Sequence, residues 1–404
     1  MRSVLALVSL VAAVIGGVVV LVVASALGLL GHKTTKTIVV TARAAPAAAS
    51  PAAVRSVPRP LPATFDAAKI YAARAPGVVT LYSSFGNGPD AETAQGSGFV
   101  VSRDGLVLTD AHVITNAGTS TGSKVTPATA VFVEFGDHDR IPARIVGWDI
   151  FDDVGVIRVD PKQHPLTVVP LGDSSHVVVG EPVAAIGSPL GNEDSLAVGV
   201  VSAVHRSIES LTSRYDLFDA IQTDAPITHG NSGGPLLDAA GRVIGINAQI
   251  RSQSGNGNDA GVGFAVPIDS ARRSLRQLLT TGRARYAFVG ITTEDLTPAL
   301  ARHFGIPTRN GALIDFVGPG SPGAQAGLRG GTERESFQGA DVVRGGDVVV
   351  AIDGVPVRSA DDLVRIVGER LRPGQIAAFT IVRDGVRKTV PVRLADRPAN
   401  PHSP

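Results

Sequence analysis

A serine stands among glycines in Gly230-Asn231-Ser232-Gly233-Gly234-Pro235. A hydroxyl is a weak nucleophile. To attack a carbonyl it needs a base for its proton, a group that orients the base, and donors for the oxyanion that forms. A glycine two residues before the serine lets the backbone bend until the amides of Gly230 and Ser232 point at one spot. The stretch therefore offers acyl-transfer chemistry, provided the chain supplies a histidine and a carboxylate.

The same residues also fit G-x-S-x-G, the strand-to-helix elbow whose acid and histidine follow the serine. Here Gly-Gly-Pro follows, then a turn and the strand-like Arg242-Val243-Ile244-Gly245-Ile246-Asn247, and the only later histidines are His303 and His402. The elbow fails on both counts, so the base must lie upstream. Within the first body, six histidines precede the serine: His112, His138, His164, His176, His205 and His229. His112 ends the apolar run "GLVLTDAH", and a strand end is a rigid platform for a base. His138, His164 and His176 fall in polar turns and loops, His205 in a charged stretch, and His229 next to the serine motif lines the cleft at most. For the acid, "WDIFDDVGVIRVD" supplies Asp149, Asp152 and Asp153. Asp153 directly precedes an apolar strand, and strand alternation turns Asp152 the other way, so Asp153 is chosen. The order His112, Asp153, Ser232 is that of chymotrypsin-type triads.

Short strand-length runs bounded by Gly, Asp, Asn or Pro fill Phe65 to about Thr281. Their spacing predicts a barrel or a pair of barrels. Two helices interrupt them: "TFDAAKIYAARA", and "PIDSARRSLRQLLTTGR" capped by Asp269 or Ser270, stopped by Gly282, with Ala271, Leu275, Leu278 and Leu279 on one face. After Arg283 a smaller α+β unit is expected, with five strands, helices over "SPGAQAGL" and "SADDLVRIVGERL" (Ser359 as N-cap), and a Gly-rich insertion at Gly330–Gly346 read as a loop or hairpin. Before both units, Val4–Leu30 carries no charge. As a helix it would span about 40 Å against a hydrocarbon core of about 30 Å, which favours an uncleaved anchor, although Ala24-Ser25-Ala26 offers a cleavage site. The assigned segments are an anchor over 1–31, an Ala/Pro-rich tether over 32–64, a catalytic domain over 65–282, the smaller domain over 283–396 and a tail over 397–404.

With 404 residues the chain is too long for one core. A net charge of +1 gives no field for nucleic acid, and no cysteine is present for disulfide, thiolate metal site or thiol nucleophile. No phosphate loop, dinucleotide fingerprint or paired histidine at ligand spacing appears, so no cofactor or metal is expected.

Together "GSGFVVSRDGLVLTDAHVI", "DDVGVIRV", "AIGSPLG", "IQTDAPITHGNSGGPLLDAAGRVIGIN" and "GVGFAVP" resemble the HtrA (Deg) family of trypsin-like serine proteases, and the second unit resembles the PDZ domain that follows the protease there. The resemblance covers roughly Phe65 to Leu394. It implies a mostly β fold of two six-stranded barrels and a small α+β PDZ domain. It makes Ser232 the nucleophile, His112 the base, Asp153 the orienter of the imidazole, and the amides of Gly230 and Ser232 the oxyanion hole. Ile227 and Ile250 would line the specificity pocket, and with no carboxylate nearby cleavage would follow small or medium aliphatic residues. In the PDZ unit, Phe288, Val289, Gly290 and Ile291 would receive the C-terminal carboxylate of a peptide. Asn231 carries no charge to pair with an N-terminus, so activation would come from ordering of loops such as Arg251–Gly261. The family also implies a homotrimer.

The implied function is a membrane-tethered serine endopeptidase that cuts exposed or misfolded proteins outside the cytoplasm. Lys33, Lys36 and Arg43 after the apolar span outnumber Arg2 before it, which by charge counting alone would put the body inside. The function overrides that count. An alternative from another class is a catalytically silent binding module using the PDZ groove and the protease cleft. Asp110, two residues before His112 where relatives often carry Asn, would add a negative charge and raise the pKa of His112. With an ordinary pKa there, activity should fall below about pH 6.5.

Overall fold

The computed structural model describes residues 65–86, 91–117, 125–187, 195–213, 215–227, 230–248 and 262–399. Helix α1 (Ala67–Arg74) is capped by Asp66, whose carboxylate accepts from the Lys69 amide, and it leads into a first closed barrel. That barrel joins β1 (Val78–Phe85), β2 (Glu92–Val100), β3 (Leu106–Asp110), β4 (Ala130–Glu134), β5 (Arg140–Asp149) and β6 (Val154–Val159) in the ring order β1-β2-β3-β6-β5-β4. A second closed barrel joins β7 (Pro182–Gly187), β8 (Ser195–Glu209), β9 (Asp216–Thr223), β10 (Pro235–Leu237), β11 (Val243–Ala248) and β12 (Gly263–Pro267) in the order β10-β11-β12-β9-β8-β7.

Strand alternation sorts the apolar residues into three layers. Val107 points into the first barrel with Leu81 and Ile157, and Val183 and Ala185 point into the second with Leu236 and Ile244. Their neighbours Leu106, Leu108, Ala184 and Ile186 face the other way. These join Phe99, Leu237 and Ile246 in a core shared by the two barrels. Strands buried on both faces explain the near-continuous apolar runs of the sequence. The shared core fixes one barrel against the other and so fixes the cleft between them.

A one-turn helix α2 (Ala111–Ile114) follows β3, and α3 (Ile268–Thr281) follows β12. Helix α3 ends at Gly282 (φ 73°) as expected, but its N-cap is Pro267 rather than Asp269 or Ser270. Asp269 instead lies in the first turn and accepts from the amide and hydroxyl of Ser174. Its buried face also differs: Ala271 and Leu278 are buried, Leu279 is 46% exposed, and Ser270 and Ser274 are buried in its place. The reason is polar, because Ser274 donates to the buried carboxylate of Asp149 at 2.6 Å.

The second unit is built on a sheet in the order β14-β15-β18-β20-β21, with β14 at a free edge. Its strands are β13 (Ala287–Phe288), β14 (Ile291–Asp295), β15 (Ala312–Val317), β16 (Glu333–Phe337), β17 (Ala340–Arg344), β18 (Val348–Ile352), β19 (Val355–Pro356), β20 (Ile376–Arg383), β21 (Val386–Arg393) and β22 (Ala395–Asp396). Helices α4 (Pro298–Phe304), α5 (Pro322–Gln325) and α6 (Ala360–Arg370) intervene; α6 is capped by Ser359, and α4 was not foreseen from sequence. The Gly-rich insertion is a hairpin, β16–β17. On one sheet face Ile314, Val349 and Phe379 pack on Leu363, Ile366 and Val367 of α6. On the other, Leu313, Val348 and Val350 meet Leu300 of α4 and Val342 of the hairpin. The insertion thus covers the sheet face opposite α6. Among the described residues no helix is long and apolar enough to cross a membrane, and the expected anchor at Val4–Leu30 lies outside them.

Candidate active site

Strand β3 pairs with β6 from Leu106↔Arg158 to Asp110↔Val154, so the end of one strand faces the start of the other. His112 follows the first and Asp153 precedes the second. The Asp153 carboxylate accepts from the His112 amide at 3.0 Å and from ring Nδ1 at 2.8 Å, and its carbonyl accepts from the Ala111 amide at 3.1 Å. An ionised carboxylate only accepts, so Nδ1 carries the proton and Nε2 is left as the basic nitrogen. Asp153 holds φ at 51°, a left-handed conformation that costs a non-glycine residue about 1 kcal/mol or more. The turn is tied from behind: Asp149 accepts from the Phe151 amide at 2.9 Å.

That turn also receives Tyr286, which immediately precedes β13 of the second unit. The hydroxyl of Tyr286 lies 2.5 Å from Asp149 Oδ2 and 2.7 Å from Asp152 Oδ2, with Arg273 bonded to Asp152 at 3.3 Å. One hydroxyl proton cannot be donated to both carboxylates at once, so the two carboxyl groups crowd a single donor. Burial, and then the charge of Asp152, push Asp149 up to about 6. The guanidinium of Arg397 lies over the rings of Phe151, Tyr215 and Tyr286.

Asp110 is fully buried, and neither carboxyl oxygen has a hydrogen-bond partner among the described residues. Its Oδ2 lies 3.9 Å from His112 Nδ1. Burial, then the charge of Asp153, raises its pKa well above the ordinary value. Burial opposes the charged form of His112 too. The charge and hydrogen bond of Asp153, with Asp110 adding to them, outweigh that and push His112 up to about 9. The rise is in the direction expected from Asp110, and it moves the pKa up from the 6.5 of an ordinary imidazole, because the ring faces two carboxyl groups in a water-poor setting.

Ser232 reaches the same place from the second barrel. It is 4% exposed, and its Oγ makes no hydrogen bond among the described residues. His112 is joined to Asp153 but not to this hydroxyl. The two halves nevertheless meet: a Cβ on Gly233 would fall 2.4 Å from Thr109 Oγ1 and 3.1 Å from the Asp110 amide nitrogen, at the strand end that leads to His112. Only glycine, here at φ 84°, fits that approach. The Asn231 carbonyl accepts from the Gly234 amide at 3.0 Å. In a trans peptide this turns the Ser232 N–H the opposite way. Asn231 is buried, its amide donating to the Pro226 carbonyl at 3.2 Å and its Oδ1 accepting from Ser195 at 3.3 Å, so no charge is needed there. Gly230 stands at φ 104°.

Ile227 is buried in the second-barrel core, where a Cβ on Gly263 would meet its Cγ1 at 2.5 Å. Ile250, His229 and the loop Arg251–Gly261 lie outside the described residues. The other described upstream histidines pair with carboxylates away from the site: His138 with Glu134, His164 with Asp137 while largely covered and stacked on Phe135, His176 with Asp173, and His205 with Asp219.

In the second unit, Gly290 holds φ at 74°, and a Cβ there would fall 2.3 Å from Ser321 Cβ. The carbonyls of Val289 and Gly290 accept from the amides of Gly323 and Gly318. The amides of Val289 and Gly290 donate no backbone bond among the described residues. Phe288 pairs with Ala395, and Ile291 opens the edge strand β14. Sequence reasoning missed Tyr286 and Ser97. Ser97 is a buried serine in "GSGF" whose amide donates to the Ser232 carbonyl at 2.8 Å. Nothing in spacing marks either residue, since the site loops they bind, at Gly230–Ser232 and Asp149–Asp152, lie more than a hundred positions away.

Comparison with known proteins agrees with this fold. A trypsin-like peptidase domain family matches residues 96–246, and a PDZ domain family matches residues 287–394. A DegP-like periplasmic serine endoprotease of Hahella chejuensis is 37% identical over 313 residues, covering 78% of this chain and 59% of that protein. One from Pseudomonas fluorescens is 36% identical over 303 residues, covering 75% and 56%. The chain thus spans little more than half the length of these relatives. Among solved structures, the HtrA-type protease AlgW with a tripeptide is similar at a TM-score of 0.66 and 30% identity, covering 82% of this chain and 98% of that one. A serine endoprotease from Yersinia pestis is similar at 0.57 and 26%, covering 83% and 100%. The peptidase and PDZ family matches, the DegP-like relatives and the HtrA-type structures place this chain in the HtrA-type family of trypsin-like serine proteases.

Proposed function

We propose that the chain is a serine endopeptidase that cuts exposed or misfolded polypeptide. The observation that carries this reading is the His112–Asp153 pair at 2.8 Å, with the loop of the buried Ser232 packed against the strand end that leads to His112. Nε2 of His112 takes the Ser232 proton as Oγ attacks the peptide carbonyl. The amides of Gly230 and Ser232 receive the oxyanion. The imidazolium then gives its proton to the leaving amine, and a water activated by His112 releases the acyl group. Asp153 keeps Nδ1 protonated and stabilises the imidazolium. Because Ser232 and His112 are not hydrogen-bonded in this structure, closing that contact belongs to the activation step; in substrate-free sites such bonds are commonly long.

Ile227 and Ile250 serve as the specificity pocket, which favours small or medium aliphatic residues before the cut. The loop Phe288–Ile291 and the free edge of β14 take the C-terminus of a peptide, backbone amides giving affinity. The domain bounds 65–282 and 283–396, an anchor at 1–31, a tether at 32–64, an extracytoplasmic body and a homotrimer complete the proposal. Support for the compartment comes from the periplasmic relatives. The test is degradation of an unfolded casein with Ser232→Ala as control. Peptide products that need Ser232 support the reading. Binding of casein or of PDZ peptides without any cleavage, under every activating peptide tried, would favour a silent binding module instead.

A further inference from the structure

Ser97 closes β2 onto the nucleophile loop with every polar atom of its residue. Its amide donates to the Ser232 carbonyl at 2.8 Å, and its hydroxyl donates to the Gly230 carbonyl at 2.5 Å. Its own carbonyl accepts from Thr109 Oγ1 at 2.6 Å, three residues before His112. The surroundings are tight: a Cβ on Gly233 would meet the Ser97 carbonyl at 2.2 Å, and one on Gly187 would meet Oγ at 3.1 Å. Between the two carbonyls that Ser97 holds lies the Asn231–Ser232 peptide, which carries the Ser232 N–H. At one end of that span sits Gly230, at φ 104° and without a side chain to hold it. A glycine samples both halves of φ space at little cost, so its peptide plane stays put only where something outside the glycine fixes it.

We propose that Ser97 is a positioning residue for the oxyanion hole, its amide and hydroxyl holding the Ser232 and Gly230 carbonyls back so that the Ser232 amide, in the peptide between them, stays turned toward the substrate. The inference rests on the peptidase reading above. A hole whose donors must reorganise during the reaction loses much of its worth, since preformed donors stabilise developing charge without reorganisation. The clamp acts on the transition state and not on the substrate's side-chain contacts. Through Thr109 it also ties the loop to the strand that carries the base.

The test compares Ser97→Ala with wild type in kcat, KM, pH profile and affinity for a peptide aldehyde, whose hemiacetal oxygen occupies the hole. The expected result is a kcat lower by roughly 10- to 100-fold, within the cost of losing one donor outright. KM changes little, aldehyde affinity falls in step with kcat, and the acid limb of the pH profile does not move because His112 keeps its partners. If Ser97→Ala melts well below wild type, Ser97→Thr and Ser97→Val decide: they share a shape and differ in the hydroxyl, so the Thr variant should keep most activity and the Val variant should not. Wild-type kcat and aldehyde affinity in Ser97→Ala, or equal activity of the Thr and Val variants, would overturn the clamp alone. A wild type that neither cleaves casein nor binds the aldehyde would overturn the peptidase reading and the clamp with it.

Discussion

Replacing Asp110 by Asn removes a charge from beside the catalytic imidazole while keeping the side chain's shape. Asp110 Oδ2 is 3.9 Å from His112 Nδ1. Two full charges at that distance, in an effective dielectric of about 20, interact by about 4 kcal/mol, equivalent to about 3 pH units. Asp110 does not carry a full charge, because burial and then the neighbouring charge of Asp153 keep its proton on well above the ordinary carboxylate range. The expected effect on His112 is therefore nearer one unit. In wild type, kcat/KM should rise with pH toward a limb near 9, where His112 loses its proton. In Asp110→Asn that limb should lie about one unit lower, so that at pH 7 the variant is about tenfold faster. The assay is kcat/KM on a fluorogenic peptide from pH 5 to 10, with a melting curve at each pH. The linkage has a definite sign. A histidine raised from 6.5 to about 9 gives stability that is full below pH 6.5 and lost as pH rises through 9. Asp110→Asn should shrink that loss. Coincident acid limbs for the two proteins, or a limb displaced upward in the variant, would refute the reasoning.

Other changes probe the supports of the site. Tyr286→Phe removes the hydroxyl shared by Asp149 and Asp152 and should cost about 2 kcal/mol of stability, read from urea unfolding, because hydrogen bonds to charged acceptors are worth roughly 1.5–3 kcal/mol. Asp149 is held up at about 6, so its contribution is largest in acid and declines as pH rises from its ordinary 3.8 through 6. Asp149→Asn should accordingly compare better with wild type at pH 8 than at pH 4 in the same unfolding assay. Gly233→Ala would place a Cβ 2.2 Å from the Ser97 carbonyl at a φ of 84°, and should cost roughly 3 kcal/mol or more and nearly all activity. Gly290→Ala, with a Cβ 2.3 Å from Ser321, should weaken binding of an apolar C-terminal peptide at least about tenfold by fluorescence anisotropy. It should leave the rate on a short peptide unchanged.

The barrels were legible because their strands are bounded by turn residues and alternate in burial, and the site was legible because each member sits where a strand begins or ends. His112 after β3 and Asp153 before β6 can be read from such boundaries alone. What resisted reading is nonlocal. Leu279 looks like part of the apolar face of α3, yet that face meets the buried Asp149, and Ser270 and Ser274 are buried while Leu279 is exposed. The hairpin β16–β17 shows only polar and glycine-rich sequence until Val342 is seen filling the core opposite α6. The pKa of His112 depends on a second carboxyl whose burial no local pattern reveals. Ser97 and Tyr286 act on residues more than a hundred positions away.

The central claim is that Ser232 is a nucleophile activated by His112. A fluorophosphonate probe, followed by mass mapping of the labelled peptide, tests it most directly. The account predicts one adduct, on Ser232, formed faster as pH rises toward 9 and absent in His112→Ala. Labelling at another serine, or labelling of Ser232 that persists undiminished in His112→Ala, would contradict it.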